Sequence, residues 1–420
     1  SVKNYQSERR MYTNYTARAI KKVCKEIGPR FSGSDAEKKS IEFMAEELKT
    51  CSDDVKVDSF SVHPKAFLGW IPMSGTLMII ATALFFVAQF FEIAALMIAP
   101  VAISLICLFF GITEFVFYME TLDKLTPKKT SYNTYGIRKP SGETKRRIIF
   151  AGHADSSMEW RFSYLGGPKL LIATLGGAIL GLVYSLVASI VVLVKSYTDP
   201  TFISTLTVDI LSYIMIFFII FFITAILMYD KNRVVEGAND DLTGVFTSMA
   251  VLLYLKNNNI SFENTEVIAV SMGAEEEGLR GSKAFAELHG DEYKNDGVET
   301  VFVALDTLRD YEFMGIVTKD MTATVNLDKS ACALMKKASE NAGVDVNFTT
   351  TPLGSTDAAA MQQGGIKSVA FTSMDPAPAR YYHTRLDKVN MLEMKTIEDV
   401  LKIVLETVFL FDEQGLKETY

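Results

Sequence analysis

Residues 265–282 read TEVIAVSMGAEEEGLRGS, and the way this stretch folds decides the fold class. TEVIAVSM is a strand-length run of β-branched and apolar residues. Gly273 and the glutamates at 275, 276 and 277 stop it, and a helical pattern begins near residue 279. A strand that passes through a tight polar turn into a helix is half of a βα unit. The glutamates have an ordinary explanation, because carboxylates are favoured in the first turn of a helix. Whether any of them does chemistry depends on what the rest of the chain brings to the ends of its strands.

The same alternation continues on both sides. EKKSIEFMAEELKTC (37–51) is an amphipathic helix, VKVDSFSV (55–62) an alternating strand and RRIIFAGH (146–153) a buried strand ending at a glycine and a histidine. A helix over residues 242–258 precedes TEVIAVSM. After it come the strand ETVFVALD (299–306), a helix from residue 330, the short strand SVAF (368–371) and a last helix over 391–412. This order predicts an α/β domain with a largely parallel central sheet and helices on both faces. Ligands in such folds gather at the carboxyl ends of the strands.

Four apolar stretches interrupt this pattern, at residues 72–91, 93–118, 170–194 and 206–228. Each approaches or exceeds the roughly 20 residues needed to cross a bilayer. Segments such as IMIFFIIFFITAILM (214–228) are apolar on every face and carry no stripe to meet water. They form two hairpins, one turning at Glu92 and the other at KSYTDPT (195–201). The chain thus divides into a water-soluble body at 1–66, 120–168 and 230–420, with membrane hairpins at 67–119 and 169–229. Lys65, Lys124, Lys128, Lys129, Arg161, Lys169, Lys231 and Arg233 all flank the spans on the side of the body, whereas the hairpin tips offer only Lys195. The positive-inside rule therefore predicts a multi-pass protein of the cell membrane with its body in the cytoplasm.

Composition agrees with that division. Hydrophobic residues make up 49% of the 420, phenylalanine occurs 28 times, and 22% of residues are still charged. The formal net charge of -8, with no long Lys/Arg block, excludes a nucleic-acid partner. Cys24, Cys51, Cys107 and Cys332 show no CxxC spacing, so neither a zinc knuckle nor a disulfide framework is expected. The polar amino-terminal stretch lacks the apolar core of a signal peptide.

At the strand ends the polar residues fall into a series. GHADS places His153 and Asp155 just past one strand, and GANDDLTG places Asp240 and Asp241 directly before a helix. Glu275, Glu276 and Glu277 follow TEVIAVSM, Asp306 ends ETVFVALD, and YYHTRLD puts His383 in a loop after the last strand. Only four histidines occur in the chain, and two of them are in this set. Imidazole and carboxylate together suit zinc. His63, before Pro64, and His289, closing a helix before Gly290, read as structural.

In content, spacing and order, GHADS, GANDDLTG, GAEEEGLRGS, VALD and YYHTRLD resemble the M28 family of di-zinc aminopeptidases, and the resemblance covers essentially the whole soluble body. It implies an α/β/α sandwich on a mixed, largely parallel sheet and two zinc ions. By resemblance, His153 and Asp306 would hold one ion and Glu276 and His383 the other, with Asp240 bridging them. Glu275 would be the general base, and Asp155 and Asp241 would support the ligands. Asp155 is the expected acceptor of the second imidazole N–H of His153. The family also implies a cis peptide after the bridging aspartate, here Asp240–Asp241. Glu277 keeps the ordinary reading of a solvated carboxylate in the first helical turn.

Two positions depart from the family pattern. Ala154 stands where an aromatic or leucine is usual, and GSTDAAAM (354–361) stands where an S-D-H stretch lines the substrate pocket. The second hairpin lies between the His153 and Asp240 motifs, which predicts a site near the bilayer surface acting on amphipathic or membrane-released peptides. The implied activity is removal of amino-terminal residues from peptides. The alternatives are a di-zinc amidase acting on an N-acyl or lipid-like amide, and a non-catalytic receptor-like relative. The complete ligand set speaks against the receptor and against a single-zinc glutaminyl cyclase.

Overall fold

The computed structural model describes residues 5–420, so the first four residues of the polar amino-terminal stretch lie outside the described residues. In chain order the elements are α1 (Tyr5–Glu26), α2 (Asp35–Lys49), β1 (Asp54–Val62), α3 (Trp70–Phe90), α4 (Ile98–Phe110), β2 (Lys129–Arg138), β3 (Arg146–His153) and β4 (Met158–Trp160). Then come α5 (Arg161–Thr198), α6 (Leu206–Ile226), β5 (Tyr229–Val234), α7 (Thr243–Asn257), β6 (Thr265–Met272), α8 (Arg280–Asn295) and β7 (Glu299–Leu308). The chain closes with β8 (Met314–Asp320), β9 (Val325–Asn326), α9 (Lys329–Asn341), β10 (Asn347–Thr350), α10 (Asp357–Gln363), β11 (Lys367–Ser373) and α11 (Met394–Gln414). These divide into two compact units, one of residues 1–64, 127–158 and 233–420, the other of residues 65–126 and 159–232.

The first unit is built on a sheet in the order β1-β2-β6-β3-β7-β11-β8-β10, with β9 paired to β8. Its four central strands, β6, β3, β7 and β11, are mutually parallel, while β1 and β2 pair antiparallel with their neighbours and β8 runs antiparallel to β11 but parallel to β10. The sheet is therefore mixed with a parallel centre, and helices pack on both of its sides. Burial on both faces explains why RRIIFAGH and ETVFVALD read as continuous apolar runs: Ile148, Ile149, Phe150, Val301, Phe302 and Val303 are fully buried. β3 has β6 on one side and β7 on the other, so the chain winds outward from it in both directions. That is the switch point at which a ligand crevice opens.

Register fixes what stands there. His153 pairs with Met272, so the β3 histidine and the turn after β6 leave the sheet at one level. Asp306 lies two residues beyond Ala304, which pairs with Ala151. The amino end of α7 is pressed onto the strand ends: a Cβ at Gly152 would stand 2.2 Å from Val245 N, and one at Gly244 would stand 2.1 Å from Leu305 O. Both glycines allow the Asp240–Asp241 loop to sit directly over β3 and β7.

The second unit contains four helices long and apolar enough to cross a membrane: Trp70–Phe90, Ala94–Val116, Arg161–Thr198 and Leu206–Ile226. The third departs from the expected boundary. It starts at Arg161 and is broken at Gly167, whose left-handed backbone (φ 67°) precedes Pro168, so the long apolar rod begins only after the break. Small residues set the helix contacts: a Cβ at Gly177 would meet the Phe221 ring at 2.1 Å, and one at Gly75 would meet Phe222 O at 2.6 Å. Only 22% of the apolar windows of Ala94–Val116 and Leu206–Ile226 is buried, and Phe109, Phe217 and Ile220 face outward. Buried core helices would have these side chains covered.

Candidate functional site

Each predicted site residue reaches the carboxyl end of the central strands, and the structure brings them together. Asp240 lies between the two histidines: Oδ1 is 3.1 Å from His153 Nε2 and Oδ2 is 3.0 Å from His383 Nε2. Glu276 Oε2 is 2.9 Å from the same His383 nitrogen. His153 Nε2 also lies 3.3 Å from Glu275 Oε2 and 3.8 Å from Asp306 Oδ1. Asp240, Glu276 and His383 offer ligand atoms within 4.8 Å of one another, and His153 and Asp306 do so with Asp241 as the third residue.

Asp241 is occupied differently from Asp240. Its Oδ2 accepts from His153 N at 3.0 Å, and its Oδ1 accepts from Gly244 N at 3.2 Å and Thr307 N at 3.0 Å. Its carboxylate thus ties together the three loops that carry His153, Asp240 and Asp306. The Asp240–Asp241 peptide is cis, and the two neighbouring carboxylates have these separate roles.

The cluster fits a cation on two grounds. First, His153 Nε2 and Glu276 Oε1 are buried without a hydrogen-bond partner although polar atoms crowd around them. Buried polar atoms normally have such partners, and atoms grouped in this way without hydrogen-bond alignment are disposed as ligands. Second, the charges do not balance within the protein. Burial, reinforced by Asp306 and Glu276, holds Glu275 well above the usual carboxylate range, and burial with Asp240 and Asp155 nearby does the same for Glu276. His153 is held well above the usual imidazole range, because the Glu275 charge and the surrounding aspartates outweigh burial. Asp240 lies below its usual range, because the two flanking imidazoles outweigh burial. Divalent zinc answers both the surplus of negative charge and the nitrogen and oxygen donor set.

Around this set lies a supporting group of which the sequence points only to Asp155. Asp155 was expected to accept from His153, and Nδ1 is indeed 3.3 Å from its Oδ1, but the better-aligned acceptor is the Asp155 backbone carbonyl at 3.2 Å. The Asp155 carboxylate instead accepts from Glu275 N and Glu276 N, each at 3.0 Å, and from Ser32 Oγ at 2.8 Å. Asp387 accepts from Asn239 N at 2.8 Å and Asp240 N at 3.1 Å, joining the His383 loop to the Asp240 loop. Arg30, fully buried, donates to the carbonyls of Ala154, Gly28 and Glu236. The Tyr382 ring stacks on His383 with centroids 3.8 Å apart, and burial together with Asp240 and Glu276 raises its phenol well above the usual range.

Two expectations are corrected, one for the acidic run and one for the helix after it. Glu277 is not a solvated carboxylate in the first turn of a helix. It is 1% exposed, α8 starts only at Arg280, and burial pushes its carboxyl well up, with Arg280 opposing. The run is drawn inward because consecutive amides of the turn point at buried acceptors, which pulls the whole segment below the surface. Gly278 has a left-handed backbone (φ 103°), and so do Ala274 (49°) and Leu279 (61°). Gly273 is needed for close approach, since a Cβ there would lie 2.4 Å from Tyr132 O. His289 does not close its helix, which continues to Asn295; its Nε2 is 2.7 Å from Asp58 Oδ2.

Solved structures with the same fold include a zinc aminopeptidase from Bacillus subtilis, with a TM-score of 0.56 and 16% identity over 96% of this chain and 95% of that one. An aminopeptidase from Aneurinibacillus sp. strain AM-1 scores 0.53 with 14% identity over 97% and 96%. A glutaminyl cyclase from Fimbriiglobus ruber scores 0.55 with 13% identity over 95% of each chain. No curated protein matches the chain. Residues 228–408 match Peptidase family M28, and that segment contains Asp240, Glu275, Glu276, Asp306 and His383, the carboxylates and histidine that converge with His153. Over residues 228–408 the chain thus matches peptidase family M28, on a fold it shares with zinc aminopeptidases of known structure.

Proposed function

We propose that the protein is a membrane-anchored di-zinc aminopeptidase. The observation that carries this reading is the position of Asp240, whose two oxygens each face a different histidine, so that His153 with Asp306 and His383 with Glu276 form two ligand groups around one bridge. Two zinc ions held there would supply Lewis acidity that polarises a substrate carbonyl and acidifies an attacking water. Glu275, beside His153 and raised above the usual carboxylate range by burial, would accept a proton from an attacking water and pass it to the departing amine. Asp155 aims Glu275 and Glu276 by holding their amides.

A free amino terminus is favoured over an N-acyl chain by a further carboxyl. Asp357, at the start of α10, is 3% exposed, its Oδ1 has no hydrogen-bond partner, and it is in electrostatic reach of His153 and Asp306. An acidic group so placed suits a protonated amine. The four apolar helices support a multi-pass chain of the cell membrane, and Lys65, Lys124, Arg161, Lys169 and Lys231 against the lone Lys195 favour a cytoplasmic peptidase unit.

The test is hydrolysis of paired aminoacyl and N-acyl amides by the purified, zinc-loaded protein beside Glu275→Gln. Expected is cleavage of the free-amine series, a fall of about 10²- to 10⁴-fold in kcat for the variant, and unchanged zinc content. Preferential cleavage of N-acyl amides, or full activity in Glu275→Gln, refutes the reading.

A further inference from the structure

The turn that carries Glu275 and Glu276 has four consecutive amides, and each is accepted by a buried side chain. Gly273 N donates to Asn133 Oδ1 at 2.9 Å, Ala274 N to Glu37 Oε2 at 2.9 Å, Glu275 N to Asp155 Oδ1 at 3.0 Å and Glu276 N to Asp155 Oδ2 at 3.0 Å. Successive inward-pointing amides form an anion-binding concavity, and here the Glu37 and Asp155 carboxylates, with the Asn133 carboxamide, fill it.

Glu37 is the distant member of this set. It lies in the first turn of α2, three residues after Ser34, whose Oγ accepts from Glu37 N at 3.2 Å. The S-D-A-E spacing is that of a capping box, in which the glutamate folds back on the amino end of its own helix. Glu37 does fold back, accepting from Gly33 N at 3.0 Å. Capping does not account for the rest. The same carboxylate accepts from Ser131 Oγ at 2.6 Å and from Ala274 N, 237 residues away, and is 1% exposed. Burial, with Asp155 nearby, pushes its carboxyl up to about 8. A residue that only capped α2 would stay in water and avoid that burial.

Ala274 is the leverage point. Its φ of 49° puts an L-residue in the left-handed region immediately before Glu275, a conformation that persists only where neighbours hold it. Glu37 is the side chain that holds its amide. We propose that Glu37 is a positioning residue for Glu275, fixing the turn that aims the general base and thereby setting turnover rather than substrate affinity. This rests on the reading of Glu275 as the base.

The experiment compares full-length, zinc-loaded wild type, Glu37→Gln and Ser34→Ala, using steady-state hydrolysis of an aminoacyl nitroanilide and hydrogen exchange of residues 271–278. The carboxamide introduced by Glu37→Gln keeps one acceptor oxygen but presents an N–H₂ group to a remaining donor, whereas Ser34→Ala weakens only the cap. Expected for Glu37→Gln is a fall in kcat of about 10- to 100-fold with KM within about twofold and zinc content unchanged. Exchange across 271–278 should accelerate by about tenfold or more, while Ser34→Ala leaves kcat and that segment's exchange at the wild-type level. Unchanged exchange in Glu37→Gln, or faster exchange with unchanged kcat, overturns the proposal. So does an equal loss of kcat in Ser34→Ala. A wild type without hydrolytic activity would defeat the reading of Glu275 instead, and the exchange comparison would still decide whether Glu37 holds the turn.

Discussion

Asp155→Asn separates the two roles open to a carboxylate beside His153, a proposed metal ligand. If Asp155 served mainly to orient His153, the substitution would be mild, because the aligned acceptor of Nδ1 is the backbone carbonyl of residue 155, which asparagine retains. If it serves mainly to hold the Glu275–Glu276 turn, the substitution is severe. The carboxylate is fully buried and divides its two oxygens between Glu275 N and Glu276 N, with Ser32 Oγ as a third donor. An asparagine offers one oxygen and turns an N–H₂ group toward the other amide. That removes one hydrogen bond to a charged acceptor, about 1.5 to 3 kcal/mol, and leaves a buried N–H unpaired at about 1 to 3 kcal/mol. The expected penalty on the turn is therefore about 2.5 to 6 kcal/mol. Part of it relaxes by movement of the turn, which displaces Glu276 from His383 and Glu275 from His153. Zinc competition against a chromophoric chelator should show weakening by about 10- to 100-fold, with a comparable loss of kcat. Zinc affinity and kcat both within about twofold of wild type would refute the assignment of Asp155 to the turn.

Other substitutions test neighbouring parts of the argument. Gly152→Ala forces a Cβ to within 2.2 Å of Val245 N, so it should destabilise the peptidase unit by about 3 kcal/mol or more in denaturant titration; a neutral result would mean that α7 is not pressed onto β3. Asp320, fully buried, is pushed up from 3.8 to about 6 by burial, with Thr356 opposing. Between about pH 4 and 6 the folded state then binds more protons than the unfolded one, so its contribution is complete below about 4 and falls by up to about 3 kcal/mol as pH rises to 6. Asp320→Asn should flatten that slope in unfolding curves, and an unchanged slope would contradict it. Tyr197, 90% exposed at the second hairpin tip, should after Tyr197→Cys react with an impermeant maleimide from outside intact cells; labelling only after lysis would reverse the orientation.

What the sequence made legible is what depends on local period. The buried strands β3, β6 and β7 read as apolar runs, and the rule that ligands gather at parallel strand ends picked out His153, Asp240, Glu275, Glu276, Asp306 and His383. Elements with less pattern went unread. α1, β8, β10 and α10 are absent from that outline, and so is β2, the strand between the sheet's parallel centre and its β1 edge, whose SYNTYG carries buried Ser131, Asn133 and Thr134 in place of an apolar face. Glu277 was misread for a physical reason. A charge run is normally solvated because burying it costs too much, and only the inward pull of four bonded amides, invisible in a local window, reverses that expectation.

Glu37, Asp155, Asp241 and Asp387 share one device. Each uses its carboxylate on backbone amides of another segment: Glu37 on Ala274, Asp155 on Glu275 and Glu276, Asp241 on His153 and Thr307, Asp387 on Asn239 and Asp240. Every segment carrying a proposed ligand before His383 is thus held by a residue from a different one, and Asp387 links the His383 loop itself to the rest. Backbone amides belong to every residue type, so such contacts leave no compositional trace at the receiving end. They also explain why so many carboxylates gather where the metal ligands alone need fewer. The supporting acids present oxygen to N–H groups and leave the proposed ligand side chains free of competing hydrogen bonds, as the unpartnered His153 Nε2 and Glu276 Oε1 show. The geometry of the proposed metal site is in this sense set one layer out, and substitutions in that layer should alter turnover and zinc affinity before they alter the fold.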